Sequence, residues 1–328
     1  MRWSLKKLIQ VVALLAIVLT FLTSTTVGYR VHKQTLIDST LETNKAYAEK
    51  LSATTDTYLR EILQTLQVNA EEVIPLLNNS DSQVQLNKIA ERIRTQTSTF
   101  NSVAIASPEG MVIGISPPSL DLIGERLTSL GAEQAMKERK PLISHPYMGI
   151  TGEFLIFISV PLISEDGVYR GFLGGAIYLN QPNILEKILG DHFYENGSYV
   201  YVVDGKGTLI YHQLKDRLND DVSENQVVKK VVAGGSGAQA IVNTKGIPML
   251  AGYSYIPIAD WGIISQRPIS AAVAPAKSMV LEMVWKSLPL LLLAFFLVWF
   301  LSKKIALPLQ KLAYYTETST KTDHKEKM

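Results

Sequence analysis

The sequence predicts an α+β protein with two tandem antiparallel-sheet modules on a long N-terminal helix, flanked by two transmembrane helices. Three observations support this class. Two apolar runs lie near the ends of the 328-residue chain, at residues 8–29 and 279–301. A long amphipathic stretch without glycine or proline follows the first run. Short apolar segments separated by turn residues then occur twice in the same order, which indicates a repeated module.

The first apolar run is long enough to be a retained membrane anchor. A helix rises about 1.5 Å per residue, so about 20 residues cross a hydrocarbon core of about 30 Å. The apolar core of a cleaved signal peptide has only about 7 to 15 residues and ends at a small-x-small site. This run is longer and ends at Gly28-Tyr29-Arg30 without a clear cleavage site. We therefore favour an anchor, with Tyr29 at the interface.

Basic residues at the outer flanks of the two runs predict that both termini are cytoplasmic. Arg30 and Lys33, which directly follow the first run, oppose this orientation. The charges of Glu282 and Lys286 lie at the outer end of the second run, where they can snorkel toward headgroups. The supporting cations are Arg2, Lys6, Lys7, Lys303, Lys304 and Lys311. The long middle segment is then expected outside the cell membrane.

The composition excludes several classes of function. The net charge is only +2 and no basic stripe lies between the runs, so no nucleic-acid partner is expected. The chain has no cysteine, which excludes disulfides, thiolate nucleophiles and cysteine metal sites. An external segment without disulfides suggests a bacterial or archaeal protein.

Residues 30–80 are predicted to form a long stalk helix that continues from the first span. Apolar residues recur at helical spacing at Leu36, Ile37, Leu41, Ala48, Leu51, Tyr58, Ile62, Leu66 and Ala70. Two compatible interpretations remain open: the helix packs on its own domain, or it forms a dimer seam that carries motion to the membrane. A second helix, at residues 82–98, follows a break at Pro75 and Asn78-Asn79-Ser80.

The middle of the chain reads as two copies of one α+β unit. The first copy has predicted strands at residues 101–107, 111–115, 141–144, 154–161 and 171–179 and helices at residues 127–138 and 181–189. The second has strands at residues 198–203, 208–212, 238–242, 249–256 and 262–267 and a helix at residues 220–232. Each copy opens with a strand, an acidic residue and glycine in a turn, and a return strand. We therefore expect two similar modules in tandem.

These segments carry a family resemblance. The stretch Lys140-Pro-Leu-Ile-Ser-His-Pro-Tyr147, followed by Thr151-Gly-Glu and Gly171-Phe-Leu-Gly174, resembles the membrane-distal module of a double Cache sensor domain. The second copy, with Tyr201-Val-Val-Asp-Gly-Lys-Gly207 and Trp261-Gly262, is similar to the membrane-proximal module. The resemblance implies PAS-like sheets, with a distal Cache module at residues 81–190 and a proximal one at residues 191–278.

After the second span, Lys304-Ile-Ala-Leu-Pro308-Leu-Gln-Lys-Leu312 resembles the opening of a HAMP linker, expected at residues 302–328. Together the resemblances imply a membrane-anchored extracytoplasmic sensor, homodimeric through the long helix and the spans. Its output would be a diguanylate cyclase, a histidine kinase or a chemotaxis signalling domain, which is not in this sequence. The alternative is a membrane-tethered binding or adhesion module without signalling.

The resemblance also bears on the ligand. Amino-acid-binding Cache sensors place an arginine and aromatic residues at the positions of Leu130, Gly131 and Ala132 in this chain, and acidic residues at those of Gly149 and Ala176. A buried ammonium or carboxylate group needs a partner of opposite charge. Because neither partner is present at these positions, we expect that the ligand is not an ordinary α-amino acid.

Five residues are the candidate ligand contacts in the distal module: Tyr147, Arg126, His145, Thr151 and Tyr178. Tyr147 occupies a pocket position of the family. Arg126 could hold a carboxylate or phosphate, or be an ordinary surface arginine. His145 could be a pH-sensitive contact, or an ordinary loop histidine.

An enzyme is not expected, and no cofactor or metal is implied. The five histidines show no HExxH pair and no metal-ligand spacing, and there is no G-x-S-x-G motif. Asp191-His192 and Asp204 with His212 are conceivable acid and base pairs. Each has a simpler account, as a helix end or as a hairpin turn.

Overall fold

The computed structural model describes residues 5–78, 82–97, 99–190 and 196–325. The chain divides into two compact units, one of Met1–Ile37 with Ala272–Met328 and the other of Asp38–Ala271. Two helices, within Lys7–Leu77 and Ile269–Lys304, are long and apolar enough to cross a membrane. They contain both predicted spans, which fits a membrane protein.

Helix α1 runs from Leu5 to Val73 and is followed by a 3-10 turn at Ile74–Asn78, next to the predicted break at Pro75. Helix α2 follows at Gln83–Thr97. From Ala48 onward one face of α1 is buried, with helical spacing, at Ala48, Leu51, Leu59, Ile62, Leu66 and Ala70. The long helix therefore packs on its own domain. The dimer seam stays a prediction.

The distal module contains an antiparallel sheet in the order β2-β1-β6-β5-β3, and β4 pairs with β5 as well. The strands are β1 (Ser102–Ala106), β2 (Val112–Ser116), β3 (Leu142–Ile143), β4 (Tyr147–Met148), β5 (Phe154–Ile163) and β6 (Tyr169–Tyr178). Helices α3 (Leu130–Glu138) and α4 (Ile184–Leu189) belong to the same module. The prediction that α3 begins at residue 127 is wrong, because Leu127 N donates to Gly110 O over 2.9 Å and keeps this segment extended.

The proximal module repeats this topology in the order β8-β7-β11-β10-β9. Its elements are β7 (Tyr199–Val203), β8 (Leu209–Tyr211), α5 (Gln226–Val232), β9 (Gly237–Val242), β10 (Pro248–Ile256) and β11 (Trp261–Pro268). The two matching strand orders confirm the predicted tandem modules. Helix α5 begins six residues after the predicted start at residue 220, since Asp221 pairs with Thr208 and the side chain of Asn225 caps α5 by accepting from Val227 N.

Each sheet is covered on both faces. One face belongs to the same apolar cluster as the buried side of α1, through residues such as Ile156 in the distal sheet and Val202 in the proximal one, and α2 adds contacts to β1 and β2 of the distal sheet. The opposite face packs against the module's own helix, through Phe157 toward α3 in the distal module and Val203 toward α5 in the proximal one. Neighbouring residues along a strand point to opposite faces, so one strand serves both layers. The faces that carry α3 and α5 also contain the cavities described below.

Helix α1 crosses the proximal sheet at close range. A Cβ atom at Gly252 of β10 would lie 2.2 Å from the carbonyl carbon of Asn44, so only glycine fits beneath the helix backbone there. Asn44 Nδ2 donates to Leu250 O over 2.8 Å, which fixes the crossing. Strand β11 ends at Pro268, and helix α6 (Ile269–Lys325) begins at the next residue. The proximal sheet is thus joined in sequence to the second apolar helix without a loop.

Candidate functional site in the distal module

A cavity of about 530 Å³ lies in the distal module on the α3 side of the sheet. Like most small-molecule sites, it is lined mainly by apolar side chains with a few polar groups among them. The apolar part of its wall consists of Val103, Ala104, Ile115, Leu120, Leu122, Leu127, Ile150, Leu155, Phe157 and Ala176. We call this space the distal cavity.

The polar groups of the distal cavity are all uncharged. They are the side chains of Ser102, Ser129, Tyr147, Thr151 and Tyr178. No charged side chain lines the cavity among the residues that the structure describes. An ionised ligand group would lose its hydration there without gaining an opposite charge, which is costly. The cavity is suited to an apolar molecule that carries one or two neutral hydrogen-bonding groups.

Tyr147 is the most enclosed polar residue of the cavity, with 9% of its surface exposed. Its hydroxyl donates to Ser129 Oγ over 3.4 Å. Ser129 is the N-cap residue of α3, but its side chain makes no capping hydrogen bond to that helix. Its hydroxyl oxygen instead accepts the hydrogen bond from Tyr147. Burial raises the pKa of Tyr147, and the hydrogen bond to Ser129 opposes this effect. The phenol is therefore a neutral donor and acceptor at ordinary pH.

Tyr178 and Thr151 complete the polar lining. The Tyr178 hydroxyl donates to Ser102 Oγ over 3.5 Å, and its backbone N donates to Asn101 Oδ1 over 2.9 Å. Thr151 is exposed, in the turn that follows β4. Both phenol contacts are longer than the usual hydroxyl hydrogen bond of about 2.7 to 2.8 Å. A ligand can therefore replace either serine as the partner at low cost.

Arg126 and His145 do not line the distal cavity. Arg126 is exposed, pairs with Met111, and donates from Nε to Glu109 O over 3.0 Å. His145 Nδ1 lies 3.1 Å from Oδ2 of the buried Asp204, in the proximal module. The structure thus brings Tyr147, Thr151 and Tyr178 together and places the other two candidates elsewhere.

Two cavity residues, Ser102 and Ser129, have no counterpart among the sequence candidates. Serine is a common residue and a preferred helix cap, so neither position carries a local signal. Only their contacts with the two tyrosines identify these hydroxyls. Gly149 and Ala176, the positions at which the family resemblance implies acidic residues in amino-acid-binding sensors, do line the cavity. Leu130 is 68% exposed and faces away.

The proposed pair of Asp204 and His212 is not formed. Asp204 Oδ1 accepts from the backbone N of Lys206 and of Thr208, over 3.0 and 2.8 Å, as a turn residue does. Its other oxygen faces His145. Asp191-His192 lies outside the described residues. Within the described part of the chain, no group of three or more metal-ligating side chains is found.

The chain belongs to the Cache domain family, since the dCache_1 family model matches residues 29–276. This confirms the resemblance seen in the motifs. Members of this family are ligand-binding sensor domains rather than catalytic ones. No curated protein matches the chain in sequence.

Solved structures of receptor domains share the fold. The ligand-binding domain of the Campylobacter jejuni chemoreceptor Tlp3 with L-norvaline has a TM-score of 0.56 at 15% identity, covering 73% of this chain and 94% of that chain. The corresponding domain of the Pseudomonas aeruginosa amino acid chemoreceptor PctB with L-Arg has a TM-score of 0.55 at 18% identity, covering 70% and 96%.

An extracellular ligand binding receptor from Desulfohalobium retbaense has a TM-score of 0.54 at 14% identity. The match covers 67% of this chain and only 39% of that receptor. Extracellular domains described as those of histidine kinases are similar as well. At these identities the comparisons show a common fold, that of extracellular ligand-binding domains.

Proposed function

We propose that the protein is a membrane-anchored extracytoplasmic sensor whose distal cavity binds a small uncharged molecule. The observation that carries this proposal is the lining of the distal cavity: apolar walls, five neutral hydroxyl groups and no described charged side chain. Membership of the Cache family and the likeness to receptor domains support the sensor role.

The ligand proposed here differs from those of the similar domains. Tlp3 and PctB were solved with L-norvaline and with L-Arg. An α-amino acid carries both an ammonium and a carboxylate group, and each requires a charged partner when it is buried. Gly149 and Ala176 cannot supply one. We therefore propose that Tyr147 and Tyr178 hold a neutral ligand through their hydroxyl groups, with Thr151 at the exposed turn.

The signal is proposed to leave through α6. This helix begins at the residue after β11, so no flexible loop lies between them that could absorb a movement of the proximal sheet. The ligand can move the equilibrium between two arrangements only by its preference for one of them. Both termini are proposed to be cytoplasmic, with a HAMP-like linker leading to a diguanylate cyclase, a histidine kinase or a chemotaxis signalling domain.

A thermal-shift screen of the full chain in detergent micelles tests the ligand class. Uncharged compounds such as nucleobases, amides and phenols are compared with α-amino acids, because a ligand at about 100 times its Kd stabilises the folded state by about 2.7 kcal/mol. We expect stabilisation by an uncharged compound only. Stabilisation by α-amino acids instead would overturn the proposed ligand class.

A matched pair of variants assigns the shift to the cavity. Ala104→Leu adds three carbon atoms to the wall of the distal cavity, whereas Ala240→Leu makes the same change at an exposed position of β9. The ligand-induced shift should disappear in Ala104→Leu and persist in Ala240→Leu. A shift that survives Ala104→Leu would place the ligand elsewhere.

A further inference from the structure

A second space lies on the α5 side of the sheet in the proximal module. It consists of a small and a larger adjoining space, which share Tyr199, His212, Arg217 and Asn243 as walls. We call these two spaces together the proximal cavity. No motif in the sequence points to it, because its walls come from strand β7, the segment after β8, the turn after β9 and strand β11.

Two buried polar atoms in this wall have no partner in the described structure. His212 is 4% exposed, and its Nε2 makes no hydrogen bond. Gln266 is 2% exposed, and its Oε1 makes none either. Buried polar groups are rarely left unpaired, because such a group has lost its hydration without gaining a hydrogen bond in return. The wall therefore presents hydrogen-bonding capacity that the protein itself does not use.

The chemical character of each atom follows from its surroundings. His212 Nδ1 accepts from Leu214 N over 3.0 Å, so in the neutral ring the proton is on Nε2, which is a donor. Burial, with a smaller effect from the positive charge of Arg217, lowers the pKa of His212 to about 4. Gln266 Oε1 is an acceptor. A ligand must therefore accept from His212 and donate to Gln266.

The charge of the wall is positive. Arg217 lines both parts of the cavity and Lys245 lines the larger part, and no aspartate or glutamate is among their described wall residues. Arg217 Nε donates to Asp220 Oδ2 over 2.9 Å, which leaves its two Nη groups as the donors for a ligand. Because Asp220 offsets one positive charge, the site suits a single negative charge rather than a polyanion.

The remaining walls are apolar or aromatic. The rings of Tyr199 and His212 pack edge to face at 5.4 Å between centroids. Leu209 and Val222 line the smaller part, and Met249 lines the larger. Such walls favour a ligand with a short carbon chain over an inorganic anion, whose whole surface is polar.

We propose that the proximal cavity binds a small hydroxycarboxylate, separately from the ligand of the distal cavity. The carboxylate would accept from Arg217 and from His212 Nε2, the hydroxyl would donate to Gln266 Oε1, and the carbon chain would lie on the apolar wall. The protein then has two ligand sites of different charge: the distal cavity is uncharged and the proximal cavity is cationic.

Calorimetric titration of the full chain in detergent micelles tests this proposal with 2-hydroxybutyrate as the probe. Three comparison compounds each lack one feature: butyrate lacks the hydroxyl, 2-hydroxybutyramide lacks the charge, and inorganic phosphate lacks the carbon chain. We expect 2-hydroxybutyrate to bind at least about tenfold more tightly than each of them, since one charged or neutral hydrogen bond is worth that much. Absence of binding, or equal binding of any comparison compound, would overturn the proposal.

Variants then assign the binding to the proximal cavity. Arg217→Gln removes the charge, and His212→Asn keeps an acceptor for Leu214 N while removing the donor at Nε2. Each should weaken binding of 2-hydroxybutyrate by at least about tenfold with a far-UV spectrum like that of the wild type. If Arg217→Gln does not fold, the affinity of His212→Asn for 2-hydroxybutyrate is the test. An unchanged affinity of His212→Asn would contradict the proposed site.

Two controls complete the design. Arg170→Gln removes a surface arginine whose only described ion pair is with Asp166 in the distal module, and it should leave the affinity unchanged. Tyr147→Phe alters the distal cavity and should also leave it unchanged. Loss of 2-hydroxybutyrate binding in Tyr147→Phe would assign the probe to the distal cavity and overturn the second site.

Discussion

At the scale of single residues, the distal cavity depends on close packing under α3. A Cβ atom at Gly131 would lie 2.7 Å from the Tyr147 hydroxyl and 2.7 Å from Phe157 Cβ. Gly131 therefore sets how closely α3 approaches the sheet. The Phe157 ring in turn lies over Gly174, where a Cβ would come within 2.2 Å of it. Two glycines thus shape the wall that holds the candidate ligand contact.

Gly131→Ala should lower the free energy of unfolding by about 1 to 3 kcal/mol, which is typical of overpacking, although alanine is the better helix former. It should also remove the ligand-induced thermal shift, since Tyr147 must move. Thermal and urea unfolding in detergent measure both effects. Gly28→Ala in α1, where a Cβ meets nothing within 4 Å, is the control and should be neutral or stabilising. Equal effects of the two substitutions would contradict the packing argument.

His212 should make the stability of the protein depend on pH. Its pKa is lowered from 6.5 to about 4 by burial first and by Arg217 next. Between these values the unfolded chain binds more protons than the folded one, so stability is full above pH 6.5 and is lost as the pH falls toward 4. Between pH 7 and pH 5 this loss is roughly 2 kcal/mol.

Urea unfolding at the two pH values, followed by near-UV circular dichroism, measures this loss. His212→Asn should reduce the difference between pH 7 and pH 5 by about that amount. His32→Asn replaces an exposed histidine of α1 and should keep the wild-type difference. An unchanged difference in His212→Asn would mean that this ring is not the group responsible.

The candidate site was only partly predictable at this scale. Tyr147, Thr151 and Tyr178 could be singled out through a family resemblance. Arg126 and His145 could bind a ligand by their chemistry, and both lie in the distal segment. However, Arg126 pairs through its backbone with Met111 and lies at the surface, and His145 contacts Asp204 of the proximal module. Side-chain direction depends on these tertiary contacts, which no local pattern records.

At the scale of elements, the sequence predicted the order of strands and the long helix well, because period-2 and helical spacing are strong signals. Helix starts were less predictable. The predicted starts of α3 and α5 lie in segments that are held extended by backbone pairing at Leu127 and Asp221. These pairings join residues distant in sequence, so a local pattern does not show where each helix begins. The two-residue strands β3 and β4 exist only through pairing with β5.

The exposed side of α1 should form the dimer contact. Val68 on this helix is 60% exposed, whereas the opposite face is buried in the domain. Since the chain has no cysteine, Val68→Cys introduces a single one. Mild oxidation in membranes should give a disulfide-linked dimer. Val242→Cys, at a valine of β9 that is 61% exposed, is the matched control and should remain monomeric under the same conditions. Equal cross-linking at both positions, or none at either, contradicts the proposed seam.

The junction between β11 and α6 should be required for transmission. Three glycines inserted after Ala274 interrupt α6 shortly after it leaves β11. They should abolish ligand-dependent output in a chimera that joins the chain to a chemoreceptor signalling domain. Ligand binding, measured by thermal shift, should be unchanged. The same insertion after Asp166, in the exposed turn between β5 and β6, should leave output intact. Normal output from the first insertion would contradict transmission through α6.

At the scale of the whole molecule, the sensor unit is two copies of one fold on a shared helix, and the copies differ in chemistry. The distal cavity has neutral hydroxyl groups and apolar walls, whereas the proximal cavity has Arg217, Lys245 and unpaired buried polar atoms. The contact between His145 and Asp204 links the modules directly. This division could not be predicted from the sequence, because both cavities are assembled from residues far apart in the chain.

Cysteine labelling in intact cells tests the central claim, an external ligand cavity, most directly. Thr151→Cys places the chain's single thiol at the edge of the distal cavity, and Glu165→Cys places one on an exposed hairpin of the same module. A membrane-impermeant maleimide should label both without lysis. The uncharged compound found in the thermal-shift screen should slow labelling of Thr151→Cys alone, and α-amino acids should slow neither. Labelling that requires lysis, or no selective protection of Thr151→Cys, would contradict the account.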